Sequence, residues 1–248
     1  MSFVKIHNIK QAVILCGGFG TRLRNQTKDK IPKTLIKVNN IPFIIYLLNQ
    51  IIDLGISKII FCTGFLGEQV EKEVLLFKKL NNLNLQFIFS CEKVPLGTAG
   101  SIVLAKKHLN GKDALILNGD TYFNGSISNF IKFHYNYNGQ ISIAANIKFL
   151  SSRYGKLITN NNQLIDIIEK KFTFYSYVYS GIFILDSNIL TNYNNNIFMN
   201  VEDSFFKNKS FKINVWKNNS TFIDIGTEYS FKKSSSFMSK IKLKYLIN

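Results

Sequence analysis

The sequence predicts an α/β protein: a Rossmann-like, mostly parallel sheet flanked by helices, with a smaller β-rich part in its second half. Three observations carry that expectation. Apolar runs alternate with helix-patterned segments from residue 11 to about residue 118, as consecutive βαβ units require. The turn after the first run, CGGFG at residues 16–20, crowds three glycines where an open α/β sheet presents its loops to a ligand. From residue 140 onward, strand-like segments follow one another without intervening helical patterns.

Residues 12–16 form the first predicted strand. Residues 42–54 read as a helix, with Pro42 in its first turn and Gly55 at its end. Residues 58–63 are a second strand; residues 68–80 then repeat Val70, Val74 and Phe77 at helical spacing, with Lys78 and Lys79 at the end the helix dipole favours. A strand at 85–90, a helix at about 98–108 and a strand at 114–117 complete the alternation. ISIAANI, YGKLIT, QLIDIIE and YVYSGIFIL read as the later strands, with residues 160–162 as a hairpin turn. No repeat or flexible linker interrupts the pattern. A single domain is therefore expected, made of residues 11–118, a second half at 119–230 that decorates the sheet, and a tail at 231–248.

The 248 residues are 46% hydrophobic, enough for a sizeable core. No run approaches the ~18 consecutive apolar residues of a membrane span, and the first ten residues lack the apolar segment and small-residue cleavage site of a secretory signal. A cytoplasmic protein is expected, without membrane insertion. Cys16, Cys62 and Cys91 are odd in number and widely spaced, so they read as free thiols rather than a disulfide or zinc framework. The net charge of +16 is spread along the chain among Ile and Asn, which speaks against a nucleic-acid partner. The basic, mildly amphipathic tail reads as packing its Phe and Leu residues on the domain or on a second subunit of a homodimer, with a membrane-surface helix as the alternative. His7, His108 and His134 converge in no motif, so histidine acid–base chemistry is unsupported.

Gly17, Gly18 and Gly20 leave backbone N–H groups bare, and such groups bind anions well beside a helix start. The Walker pattern fails for want of a lysine, and the dinucleotide fingerprint puts Leu23 where a glycine belongs. What remains is a phosphate-sized turn followed by Arg22, whose guanidinium can clamp two phosphate oxygens. Here the chain resembles the sugar-phosphate nucleotidyltransferases, whose signature is GGxGTRL followed by PK. GGFGTRL (17–23) and IPKTLIKV (31–38) match it, and PLGTAGS, LNGDTYF, RYG, IIEK, YSGIFIL and FIDIGT follow in the family's order. Thr34 and Glu228 depart from prolines common in the family, and neither replaces a charged group. Within the family, the spacing and length are most similar to guanylyltransferases acting on heptose 1-phosphates. That implies GTP as nucleotide and a heptose 1-phosphate as sugar, with a cytidylyl- or other nucleotidyltransferase as the alternative, and a silent sugar-nucleotide-binding regulator as the rival outside catalysis.

The reaction implied is attack of a sugar 1-phosphate on the α-phosphorus of a nucleoside triphosphate. By the resemblance, residues 11–118 are the nucleotide half and 119–230 the sugar-phosphate half. Arg22 and Lys33 would neutralise phosphates, and Asp120 and Asp224 would hold Mg²⁺, which takes one or two protein carboxylates. Each aspartate has a second reading: Asp120 as the cap of a turn, Asp224 as the partner of an arginine. Nucleotide contacts fall on Leu15, Gly17, Gly18, Gly20, Thr21, Glu92, Pro95, Leu96, Gly97, Thr98, Asn118 and Gly119, with Gly97 and Gly100 leaving the base room to approach. Gly155 and Gly181 would leave room for the sugar ring, and Glu169 and Lys170 would bind its hydroxyls and phosphate.

Overall fold

The computed structural model describes residues 9–151, 153–168 and 173–247. β1 (Gln11–Leu15) enters the glycine turn, which passes through a 3-10 turn (Thr21–Leu23) into α1 (Arg24–Thr27), a single helical turn. A ribbon of β2 (Lys37–Val38) and β3 (Ile41–Pro42) leads to α2 (Phe43–Ile51). Pro42 precedes the first helical residue, where its missing N–H costs nothing, and the helix tightens through Ile52–Leu54 to Gly55 in the left-handed region, φ +77°. β4 (Lys58–Thr63), α3 (Gly67–Leu80), β5 (Gln86–Cys91), α4 (Gly97–Ala105) and β6 (Asp113–Asn118) continue the alternation. α3 buries Val70, Val74 and Phe77, the residues whose spacing predicts it.

β5, β4, β1 and β6 run parallel in that order. Alternate residues of β1 feed cores on opposite faces: Ala12 and Ile14 meet α2 and α3 residues, while Val13 packs with Ala99 and Ile102 of α4. After β7 (Thr121–Asn124) and α5 (Ile127–Asn136) come β8 (Ile141–Ser151), β9 (Lys156–Asn160), β10 (Gln163–Ile168) and β11 (Thr173–Asp186). A two-residue turn at Asn161 and Asn162 joins β9 to β10, as expected, with Asn161 at φ +50°. β11 adds antiparallel to β6, β8 follows it, and β12 (Ile213–Asn218), β10 and β9 extend the sheet. One pairing, Val178 with Lys156, brings β9 back against β11.

β13 (Thr221–Asp224) pairs with β7 outside this sheet. It leads into α6 (Glu228–Met238), whose start is a reciprocal cap between Thr227 and Ser230. The tail then lies on the protein itself. Asn49 of α2 donates to the Tyr245 carbonyl and accepts from the Lys244 and Tyr245 N–H groups, Asn81 donates to the Leu246 carbonyl, and Leu243 and Ile247 pack against the core. His134 is a satisfied core residue, 2.8 Å from the Ser142 hydroxyl and 3.5 Å from Asp113. Among the described residues no helix is long and apolar enough to cross a membrane.

Candidate active site

The turn after β1 is a bare backbone rim. Gly20 takes the left-handed conformation (φ +64°), which turns the chain beneath Lys33, and a Cβ on Gly18 would meet no atom within 4 Å. The helix that follows is a single turn, so an anion placed here would meet N–H groups and cations rather than a long helix dipole. Arg22 leaves the 3-10 turn. Lys33 starts another 3-10 turn immediately after Pro32.

With Leu15, Gly17, Gly18, Gly20, Thr21, Asn118, Gly119 and Asp120, these two cations line a cleft of about 340 Å³ at the carboxyl ends of β1 and β6. Glu92, Pro95, Gly97 and Thr98 close its far wall. Leu96 does not line it. Its side chain is buried, and its backbone is spent on Glu92 Oε2 (3.3 Å) and on the Met199 N–H (2.8 Å).

The glycines of PLGTAGS have a different cause from the one the sequence suggests. A Cβ on Gly97 would stand 2.5 Å from the Met199 carbonyl oxygen, and one on Gly100 would stand 2.6 Å from that of Ile197. The segment at 197–201 therefore needs both positions bare. The Met199 carbonyl accepts from the Ala99 and Gly100 N–H groups (3.0 and 3.2 Å), and the Val201 N–H donates to the Thr98 hydroxyl (3.0 Å).

A second cleft of about 220 Å³ adjoins the first and shares Arg22, Asn118 and Asp120 with it. Gly155, Gly181 and Asp224 line it. The two glycines do not stand before open space, since Cβ atoms there would meet Ile167 (3.1 Å) and Thr121 (2.5 Å), and Gly181 also holds φ +84°. Glu169 and Lys170 lie outside the described residues. Arg153, Tyr154, Tyr179 and Glu202 also line it. The RYG triplet signals the first two, although no role for them is legible in it. Nothing in the sequence marks Glu202, which opens a π-helical turn, Glu202–Phe206.

Both aspartates are paired. Asp120 accepts from Lys33 Nζ and from the Thr121 hydroxyl (2.9 Å). Burial pushes its pKa up, but the Lys33 charge and hydrogen bond, Thr121 and the Arg22 charge outweigh that and hold it below the usual carboxylate value. Asp224 faces Thr121 across the β7–β13 pair, and the Ile225 N–H donates to the Asp120 carbonyl (2.8 Å), which brings the two side chains to one cleft. Asp224 accepts from Arg153, from the Tyr154 hydroxyl and from the Gly226 N–H (2.9 Å). Thus the arginine-partner reading of Asp224 holds, whereas the Asp120 carboxylate is met by the Lys33 ammonium and the Thr121 hydroxyl rather than by the backbone N–H groups of a turn. Two hard carboxylates with lone pairs to spare, facing one cleft, fit an oxygen-seeking cation such as Mg²⁺.

Residues 11–239 match the family model described as nucleotidyl transferase, and the chain belongs to that family. The mannose-1-phosphate guanylyltransferase catalytic subunit beta of Drosophila melanogaster is 33% identical over 189 residues, which are 75% of this chain and 50% of that protein. The D-glycero-alpha-D-manno-heptose 1-phosphate guanylyltransferase of Campylobacter jejuni is 31% identical over 218 residues, 87% of this chain and 94% of that protein. The chain therefore spans half the length of the mannose-1-phosphate relative and nearly all of the heptose one. The crystal structure of HddC from Yersinia pseudotuberculosis complexed with GMP-PN superposes with a TM-score of 0.80 at 27% identity, covering 93% of this chain and 100% of that one.

Proposed function

We propose that this chain is a sugar-1-phosphate nucleotidyltransferase, with GTP as the nucleotide and a heptose 1-phosphate as the sugar. One observation carries the reading: two clefts meet at Arg22, Asn118 and Asp120, one rimmed by bare backbone and the other by charged and hydroxyl side chains. A triphosphate in the first and a sugar phosphate in the second would meet between Lys33 and the aspartates. A phosphate oxygen of the sugar forms the new bond to the α-phosphorus, the α–β bridging bond breaks, and its electron pair leaves with pyrophosphate. Such a transfer is accelerated by alignment and charge neutralisation and needs no nucleophilic side chain. Arg22 and the N–H groups of the glycine turn bind the leaving phosphates, and Lys33 stabilises charge at the α-phosphate. Asp120 and Asp224 would hold Mg²⁺, which would supply further neutralisation of the converging phosphates.

Guanine is supported by Glu92. Its Oε2 accepts from the Ser101 hydroxyl (2.6 Å) and the Leu96 N–H, which fixes the carboxylate. Its Oε1 turns to the glycine turn, 2.9 Å from where a Gly17 Cβ would stand. A fixed carboxylate suits the adjacent N1 and N2 donors of guanine, and a base without them would leave Oε1 without a donor from the base. The heptose rests on the likeness to the full-length heptose relative. Pyrophosphate release across four nucleoside triphosphates, each with heptose, mannose and glucose 1-phosphates, tests the reading. The highest kcat/KM is expected for GTP with a heptose 1-phosphate. A preference for CTP or for mannose 1-phosphate overturns the finer assignment, and no turnover of any pair overturns the transferase.

A further inference from the structure

Beside Arg22, two ion pairs gather where the two clefts meet. Lys33 pairs with Asp120 and Arg153 with Asp224. They close on Gly226, where a Cβ would stand 2.8 Å from Asp224 Oδ1, 3.1 Å from Lys33 Nζ and 3.2 Å from Arg153 Nη2. Two paired cations and carboxylates thus stand together beside Gly226, with Arg22 next to them.

We propose that Arg153 is an exchangeable counter-ion of Asp224: a divalent cation takes the carboxylate, and Arg153 turns its charge to the phosphate of the sugar 1-phosphate. The inference rests on the transferase reading above. Asp224 is 11% exposed, so a cation must face it whether or not a metal is bound, because an uncompensated carboxylate at that depth is costly. Arg153 is 28% exposed and lines the second cleft, so it can leave Asp224 without crossing a packed core. Among its further contacts are the Thr227 hydroxyl at 3.1 Å and, at 5.4 Å, the ring of Tyr154, which lines the same cleft. Lys148, the cation behind Asp224, cannot substitute. It is committed to the Phe222 carbonyl (3.3 Å) and ring (4.0 Å).

Charge drives the exchange. A doubly charged ion at the carboxylates repels the guanidinium beside it, and the anion then within the cleft is the sugar's phosphate, which a planar guanidinium binds through two oxygens. Substrate and metal thereby replace two internal ion pairs with metal–carboxylate and cation–phosphate pairs, and neither aspartate is left bare.

Mn²⁺ binding to the substrate-free protein, read by its electron paramagnetic resonance signal, tests the exchange directly. Arg153→Met removes the competitor and should bind Mn²⁺ on the order of tenfold tighter than the unsubstituted protein. Its KM for the sugar 1-phosphate should rise on the order of tenfold while KM for the triphosphate moves little. Arg153→Lys keeps a charge on a shorter stem, spares the fold, and should tighten Mn²⁺ about threefold. The double variant Arg153→Met with Asp224→Asn should bind Mn²⁺ no tighter than Asp224→Asn alone. Unchanged or weaker Mn²⁺ binding by the Met and Lys variants overturns the counter-ion role, as a purely structural arginine would give. An unchanged KM for the sugar phosphate overturns the transfer of its charge. The Mn²⁺ titration needs no turnover, so tightened binding in a protein that uses no sugar phosphate faults the transferase reading and leaves the pair standing.

Discussion

The two clefts touch at Asp120 but are made of different material. The first is backbone: the turn after β1, the end of β6 at Asn118 and Gly119, and the wall formed by PLGTAGS. Its shape follows from parallel strands whose ends stay put, and the Gly119 N–H is tied directly to the Leu15 carbonyl at 3.0 Å. The second is side chain: Arg153, Tyr154, Tyr179, Glu202 and Asp224, carried on β11, β13, the loop after β8 and a π-helical turn. Backbone clefts accept a ligand without rearranging, whereas charged side chains must first give up one another. The comparison separates a rigid phosphate cradle from a cleft whose residues must change partners.

The largest test of this contrast lies where the clefts meet. Asp120→Asn and Asp224→Asn should each lower kcat by on the order of a hundredfold or more while the protein still melts cooperatively. Pyrophosphate release at limiting Mg²⁺ measures it, and near-normal rates in both would remove the shared metal site. Next in size are the cations. Lys33→Ala should reduce kcat by roughly thirtyfold with a smaller change in triphosphate binding, since its charge is wanted most in the transition state. Arg22→Ala, which lines both clefts, should damage kcat and KM together. A pure binding defect in the Lys33 variant would move that residue out of the chemistry.

The backbone cleft can be probed by adding one carbon. Gly18→Ala should fold normally and raise KM for the triphosphate, because its Cβ would enter open space on the ligand side. Gly97→Ala should instead cost about 2 kcal/mol of stability, because its Cβ would meet the Met199 carbonyl at a backbone angle of +71°. Urea melts read against KM would separate the two, and equal stabilities would mean that the 197–201 segment yields more easily than its hydrogen bonds suggest. The smallest effect is expected farthest from either cleft. Asn49→Ala removes the bonds that hold Lys244 and Tyr245 and should lower stability by about 1 kcal/mol without altering kcat/KM.

Much of the first cleft was legible because its causes are local. The glycine turn, the cation one residue beyond Thr21, and the Pro32–Lys33 step each act over a few residues, and all reach the cleft. Local signals failed where a residue's neighbour came from elsewhere. The bare Cα atoms of PLGTAGS invite a ligand on paper, but a segment about a hundred residues away occupies that space, as in the Val201 to Thr98 bond (|i−j| 103). Leu96 fails in the same way, inside a matching motif yet turned into the core.

Local patterns along the chain set the parallel βαβ half, its helix ends at Pro42 and Gly55, the Asn161 hairpin and the charged residues of the matched motifs. Hydrophobic period and backbone sterics act within a few residues and can be read there. Which charges meet follows from packing between distant segments. Lys33 reaches Asp120 across 87 residues and Arg153 reaches Asp224 across 71, because β13 pairs with β7 and sets one aspartate beside the other. Charge partners are chosen by distance in space, and for the two aspartates that distance is fixed by strand pairing rather than by any spacing along the chain.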